Sequence, residues 1–141
     1  MKAIYTTTVS STGGREGQSN SEDGRLSVNL STPKELGGDG ADGTNPEQLF
    51  GAGYSACYIG ALKFVAAQQK LSLPTDVKVT ATVGIGENPK GVGFAIKVDM
   101  EVALNGMETD IAEKLIEDAH QVCPYSNATR GNIELVTKLV N

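Results

Sequence analysis

Two thiols are the side chains in this sequence best suited to covalent chemistry, and their surroundings differ. Cys57 lies in the middle of a stretch, Leu49 to Leu62, that carries no formal charge; Cys123 stands 66 positions later, directly before Pro124. The pattern leading to Cys123 is helical, so that thiol falls at a helix C-terminus, where the negative end of the dipole disfavours a thiolate. Cys57 is then the better nucleophile, provided a cation offsets its burial. The alternative is that both are inert core thiols, since free cysteine is among the most buried residue types. Other constellations are weaker. His120, the single histidine, precedes Cys123 by three residues and with Cys57 and a carboxylate would compose a zinc site, but that signal has low specificity and a polar position on an amphipathic helix is the preferred reading. Gly53-Tyr54-Ser55-Ala56-Cys57 has the front half of a hydrolase nucleophile elbow, yet it sits inside a helical pattern rather than at its entrance. No glycine cluster has the strand-to-helix context of a phosphate loop.

The element that must position Cys57 is a helix running from Pro46 to about Gln69. Asn45 is suited to accept from the Gln48 amide, Pro46 suits the first helical position, and Gln48 is placed to reach back in a capping box. Apolar or small residues occur on every side of it, which predicts a helix buried all round and approached closely by another backbone at its glycines. Its fourteen uncharged residues fall short of the roughly 20 needed to cross a bilayer.

Ahead of the helix, Lys2 to Val9 reads as a strand, Ser10 to Gly14 as a turn, Arg15 to Gln18 as a returning strand, and Leu26, Val28 and Leu30 as a third strand of an antiparallel meander. Pro33 to Thr44 holds four glycines without periodicity and reads as a long loop. After it, Val77 to Ile85 and Phe94 to Leu104 alternate as two long strands joined through Glu87 to Gly91. Ile111, Leu115, Ile116, Ala119 and Val122 trace the apolar face of a helix from Thr109 that stops at Cys123. Ile133 to Val140 supplies a last strand, giving an α+β fold in one domain spanning 1–141.

Composition narrows the partners. Twelve basic against seventeen acidic residues give a net charge of −5, with three arginines and no basic run, so nucleic acid and anionic membranes are poor partners. The N-terminus has no apolar stretch of the signal-peptide kind, and a reducing cytoplasm is the expected location.

Asn45-Pro46-Glu47-Gln48-Leu49-Phe50, Gly53-Tyr54-Ser55-Ala56-Cys57 and Val122-Cys123-Pro124-Tyr125-Ser126-Asn127-Ala128-Thr129-Arg130-Gly131-Asn132, together with Gly13-Gly14-Arg15, resemble the motifs of organic hydroperoxide resistance proteins of the osmotically inducible protein C (OsmC/Ohr) superfamily. The resemblance covers nearly the whole chain, with Gly51 and Tyr58 standing where Ala and Phe are expected. It implies antiparallel sheets packed around a long buried central helix in an intertwined homodimer. It also implies a thiol peroxidase that reduces alkyl and fatty-acid hydroperoxides to alcohols, without a bound cofactor or metal. Cys57 would be the peroxidatic and Cys123 the resolving cysteine, linked as a disulfide during turnover, with Arg15 and Glu47 activating Cys57 and Phe50, Tyr54 and Tyr125 lining the substrate pocket. The implied reductant is a dihydrolipoyl group, on a lipoylated protein or as dihydrolipoamide. A thiol redox sensor and a small apolar ligand-binding module are the alternatives.

One geometric expectation follows. In a straight helix Glu47 and Cys57 lie about 15 Å apart along the axis and are turned by roughly 80° from one another. Either the helix is interrupted near Gly51 and Gly53, or Arg15 and Glu47 approach Cys57 from the second subunit, the option the glycine-containing faces favour.

Overall fold

Helix α1, Pro46–Gln68, is 23 residues long and has no break at Gly51 or Gly53. The computed structural model describes all residues, Met1–Asn141, and every peptide bond is trans. At the start of α1 the Asn45 Oδ1 accepts from the Gln48 amide at 2.9 Å, the expected cap. The reciprocal half of the capping box is absent, because Gln48 Oε1 instead accepts from the Thr44 hydroxyl at 2.7 Å. At the other end Lys70 takes a left-handed φ of 56°, with Leu71 N–H bonding Ala66 O at 2.9 Å and Lys70 N–H bonding Ala67 O at 3.2 Å. This is a Schellman stop. Lysine in place of glycine hides the motif from a sequence reading, although the expected end near Gln69 lies within a residue of the observed one.

The chain divides into two compact units, Met1–Leu49 and Phe50–Asn141. The first holds a three-stranded antiparallel sheet in the order β1 (Val9–Thr12), β2 (Gln18–Ser21), β3 (Ser27–Asn29). The expected meander is present, but displaced. Lys2 to Thr8 lies outside any strand, the expected turn residues Ser10 and Ser11 are in β1, and Arg15 sits on a 3-10 turn, Gly14–Glu16, that joins β1 to β2. Glycines decide this register. Gly13 and Gly14 have φ of 69° and 58°, and a Cβ on Gly17 would lie inside the Thr12 carbonyl, so the tight connection belongs at 13–17. Within the segment 33–44, Lys34–Leu36 forms a 3-10 turn and Thr44 bridges to Leu30.

In the second unit β4 (Lys78–Glu87) and β5 (Phe94–Ala103) form a long antiparallel hairpin, registered so that Val79 faces Val102, Val83 faces Val98 and Ile85 faces Ile96. β6 (Glu134–Val140) pairs with β5 in parallel, so this sheet is mixed rather than wholly antiparallel. The cause is topological: α2 (Thr109–Val122) and α3 (Pro124–Thr129) intervene between β5 and β6 and return the chain to the end at which β5 began.

The core is built from Tyr54, Tyr58, Leu62 and Val65 of α1, Met100 and Val102 of β5, and Ala112, Leu115 and Ala119 of α2. Each large apolar side chain fully buried here contributes about 1.5–3 kcal/mol. Gly51 lets α1 come close to β4, where a Cβ would stand 3.3 Å from Val83 Cγ2. Tyr58, expected as Phe, places its hydroxyl 2.6 Å from the Ile116 carbonyl and so leaves no buried donor unpaired. Two expectations change. On α2, Ala112 faces the core, while Ile111 and Val122 are 43% and 39% exposed. On α1, Ala52, Ala56, Gly60 and Phe64 are exposed, Phe64 by 54%, so this helix has one buried face and one uncovered apolar face instead of being buried all round. By length and composition α1 could cross a membrane, but its other face is part of the core just described.

Candidate active site

Cys57 lies at the middle of α1 and is half-buried, whereas Cys123 is fully buried; both are free thiols. The fold packs Cys57 against the buried cluster that contains Cys123, close enough for each to act on the other electrostatically. Burial pushes the Cys57 thiol up, the charge and hydrogen bond of Cys123 push it further, and the Tyr125 amide donating to the sulfur pulls it down. Within its own compact unit, then, Cys57 has a neighbour for disulfide exchange and one amide that favours the thiolate.

Cys123 ends α2, as expected, but it also begins a helix that the sequence reading missed. Pro124 occupies the first position of α3, a role proline favours, and Cys123, with φ −66° and ψ 122°, is its N-cap. The same proline that stops α2 starts α3. Cys123 N–H donates to Ala119 O and Cys123 O accepts from the Asn127 amide, both at 2.9 Å, so the cysteine is the corner of a helix–helix elbow. The dipole argument against a Cys123 thiolate is thereby weakened, since the C-terminus of α2 and the N-terminus of α3 meet there.

Phe50, Tyr54 and Tyr125 gather into one aromatic cluster. Tyr125 stacks on Tyr54 at 5.5 Å between ring centroids, and Phe50 meets both edge-on, at 5.9 Å to Tyr54 and 6.0 Å to Tyr125. Tyr54 is wholly buried, so it supports the other two from behind rather than forming an open wall. Its hydroxyl bonds Ser126 Oγ at 2.9 Å and Thr129 Oγ1 at 3.3 Å. Gly53 makes room for Tyr125: a Cβ there would lie 2.5 Å from the phenol oxygen.

His120 belongs to the support of the elbow. Its Nδ1 bonds Ser126 Oγ and its Nε2 bonds Thr137 Oγ1, each at 2.9 Å, and its ring packs 4.6 Å from that of Tyr58. Burial, then the nearby Arg130 charge, hold its pKa below the usual value. With both nitrogens committed to hydroxyls, His120 has no lone pair free for zinc, and no cluster of three metal-ligating side chains exists.

Arg15 and Glu47 form a two-pronged ion pair in the first unit. Nη1 donates to Oε2 at 2.9 Å and Nη2 to Oε1 at 2.6 Å. The Arg15 hydrogen bonds hold the Glu47 carboxyl below the usual carboxylate range, against the opposing effect of burial, and the bond to Glu47 raises Arg15 in turn. The pair is one planar unit, fixed from the 3-10 turn at one end and the first turn of α1 at the other.

A profile of the OsmC-like protein family matches residues 37–138. An organic hydroperoxide resistance protein of Xanthomonas axonopodis pv. citri is 56% identical over 138 residues, covering 98% of this chain and 96% of the relative. The chain belongs to the OsmC-like family, in its organic hydroperoxide resistance branch. Organic hydroperoxide resistance protein OhrB of Bacillus subtilis is 39% identical over 137 residues, covering 97% of this chain and 98% of the relative. The crystal structure of that protein matches with a TM-score of 0.89 at 38% identity, covering 98% of this chain and all of the other. One from Legionella pneumophila matches with a TM-score of 0.92 at 44% identity, over 99% of this chain and 100% of the other. The long helix with two small sheets is therefore the OsmC/Ohr fold.

Proposed function

We propose that this chain is a cysteine-based peroxidase that reduces organic hydroperoxides to alcohols. The observation that carries the reading is the packing of a half-buried Cys57 against the cluster that holds the buried Cys123, both as free thiols. The Cys57 thiolate attacks the distal peroxide oxygen, the O–O bond breaks, and the alkoxide leaves as an alcohol after taking up a proton. Cys57 becomes a sulfenic acid. Cys123 then attacks that sulfur: the S–O bond breaks, an S–S bond forms, and water departs. Two electrons and two protons from a dihydrolipoyl dithiol, on a lipoylated protein or as dihydrolipoamide, return both thiols and leave a lipoyl disulfide.

The cation that Cys57 needs is supplied, in this reading, by Arg15 of a second copy, steadied by Glu47. The unbroken α1 removes the alternative of a helix interruption. The uncovered stripe Ala52, Ala56, Gly60 and Phe64 is the surface on which a second α1 packs, small side chains permitting close approach. Phe50 and Tyr125, both partly exposed, receive the hydrocarbon of the substrate, which gains about 0.8 kcal/mol per buried methylene that hydrogen peroxide cannot gain. A reducing cytoplasm suits a pair of thiols that must be restored after each turnover.

The test is steady-state consumption of cumene hydroperoxide and of hydrogen peroxide with dihydrolipoamide as the electron source. Rapid turnover with the first and little with the second is expected. Absence of turnover with either, in protein whose two thiols titrate as free, would overturn the reading.

A further inference from the structure

Pro124 leaves a defect in α2 that another residue repairs. A helical carbonyl accepts from the amide four residues on, so the partner of His120 O would be the nitrogen of residue 124, which as proline carries no hydrogen. Arg130 fills the place: its Nη2 donates to His120 O at 2.5 Å, while Nη1 donates to Asn127 Oδ1 at 2.9 Å. One guanidinium therefore grips the last turn of α2 and the middle of α3. It also sets a cation at the C-terminal end of α2, where the dipole favours it. His120 is held a second time through its ring, by Ser126 Oγ of α3. Between the two grips lies the corner that carries Cys123, and on α3 the Tyr125 amide that reaches Cys57.

We propose that Arg130 is a positioning residue for the disulfide-forming step: by spanning α2 and α3 it fixes the angle of the elbow, and with it the approach of Cys123 to the oxidised Cys57. This rests on the peroxidase reading above. The step served is the condensation of the Cys57 sulfenic acid with the Cys123 thiol, in which water carries away the hydroxyl and the thiol proton. A fork is required for the span. Lysine keeps the charge but, as a point donor on a flexible stem, does not hold both acceptors in a fixed geometry.

The experiment treats full-length reduced wild type, Arg130→Gln, Arg130→Lys and Cys123→Ser with one equivalent of cumene hydroperoxide. Sulfenic acid is trapped with a cyclic diketone over time, and the intramolecular disulfide is followed by mass after thiol alkylation. Thermal melts confirm that each variant is folded. In both Arg130 variants disulfide formation is expected to slow by about tenfold, the scale of one charge-assisted hydrogen bond. Overoxidised Cys57 should accumulate under excess peroxide, because a delayed condensation loses the competition with a second oxidation, a ratio that lowered stability alone does not move. Wild-type rates in Arg130→Gln overturn the proposal; so does slowing in Arg130→Gln with full recovery in Arg130→Lys, which would assign the effect to charge. If Arg130→Gln does not fold, Asn127→Ala removes one arm only, and a delay of about threefold supports the span while none overturns it. A wild type that forms no disulfide overturns the peroxidase reading itself, and shows this before any variant is compared. Cys123→Ser gives the trapped sulfenic acid its reference lifetime.

Discussion

Replacing Arg15 with alanine should raise the Cys57 pKa and slow peroxide attack by about tenfold or more at pH 7. Within the compact unit that holds Cys57, burial and Cys123 both push the thiol up, and only the Tyr125 amide opposes them. A cation about 4 Å from the sulfur contributes on the order of 4 kcal/mol at an effective dielectric near 20. Much of that is cancelled by Glu47, whose carboxylate holds the guanidinium at 2.6 and 2.9 Å. If a quarter to a half survives, about 1–2 kcal/mol remains, which is roughly one pKa unit and roughly tenfold in rate. The assay is thiolate absorbance against pH, alongside stopped-flow oxidation by cumene hydroperoxide. The wild type should titrate below the ordinary thiol value of about 8.5 and the variant above it, so that alkaline pH restores part of the variant's rate. Mixed dimers then locate the arginine. A dimer of one Arg15→Ala chain and one Cys57→Ser chain contains one complete site if Arg15 acts across the interface, and none if it acts within a chain. An unchanged titration with an unchanged rate would remove Arg15 from the site; no activity in the mixed dimer would refute the exchange between subunits.

Cys57→Ser should abolish peroxide reduction, while Cys123→Ser should consume about one equivalent and stop at sulfenic or higher oxidation states; equal loss of the first turnover in both, read by stopped flow, would defeat the division of roles. Ala56→Glu, on the uncovered face of α1, should convert a dimer into a monomer by light scattering, and a wild type that is already monomeric at micromolar concentration would sink the dimer. Catalytic efficiency should rise with the alkyl chain of the hydroperoxide by up to about fourfold per methylene, since each contributes up to about 0.8 kcal/mol, and a flat series would count against an apolar pocket. Glu47 has its folded pKa below the usual range, so the stability it contributes is present above the ordinary carboxylate pKa and lost as pH falls through the folded value. Glu47→Gln should therefore flatten the acid limb of the stability curve, measured by thermal melts between about pH 3 and 6.

Most of the second unit was legible in the chain because its signals are periodic and redundant. The alternation over 77–85 and 94–104 predicts β4 and β5 almost to their ends. Asn45 and Pro46 place the start of α1 to the residue. The first unit was harder, for β1 is Val-Ser-Ser-Thr and wholly exposed, with no apolar alternation to report its register. What fixes that register is glycine geometry at 13, 14 and 17, a backbone property that composition signals only as a turn somewhere nearby. The parallel pairing of β6 was not legible at all, because an isolated strand reads the same in either direction.

The candidate site divides along the same line. Cys57 and Cys123 announce themselves by type, and the roles proposed for them rest on the family motifs, since α3 weakens the helix-end argument. The support of Cys123 did not, because each of its parts has a more ordinary reading in isolation: Pro124 as a stop, Arg130 as a solvated charge, Ser126 and Thr129 as loop hydroxyls. Only the folded chain shows that Ser126 Oγ meets both Tyr54 and His120, and that Arg130 takes the carbonyl Pro124 cannot serve. The uncovered face of α1 shows a similar ambiguity from the opposite direction. A helix apolar on all sides predicts burial on all sides, and one chain covers only the face holding Tyr54, Tyr58, Leu62 and Val65. The remaining stripe, small except for Phe64, is left uncovered by the single chain, and it is the surface that we propose a second copy presenting the same stripe to cover.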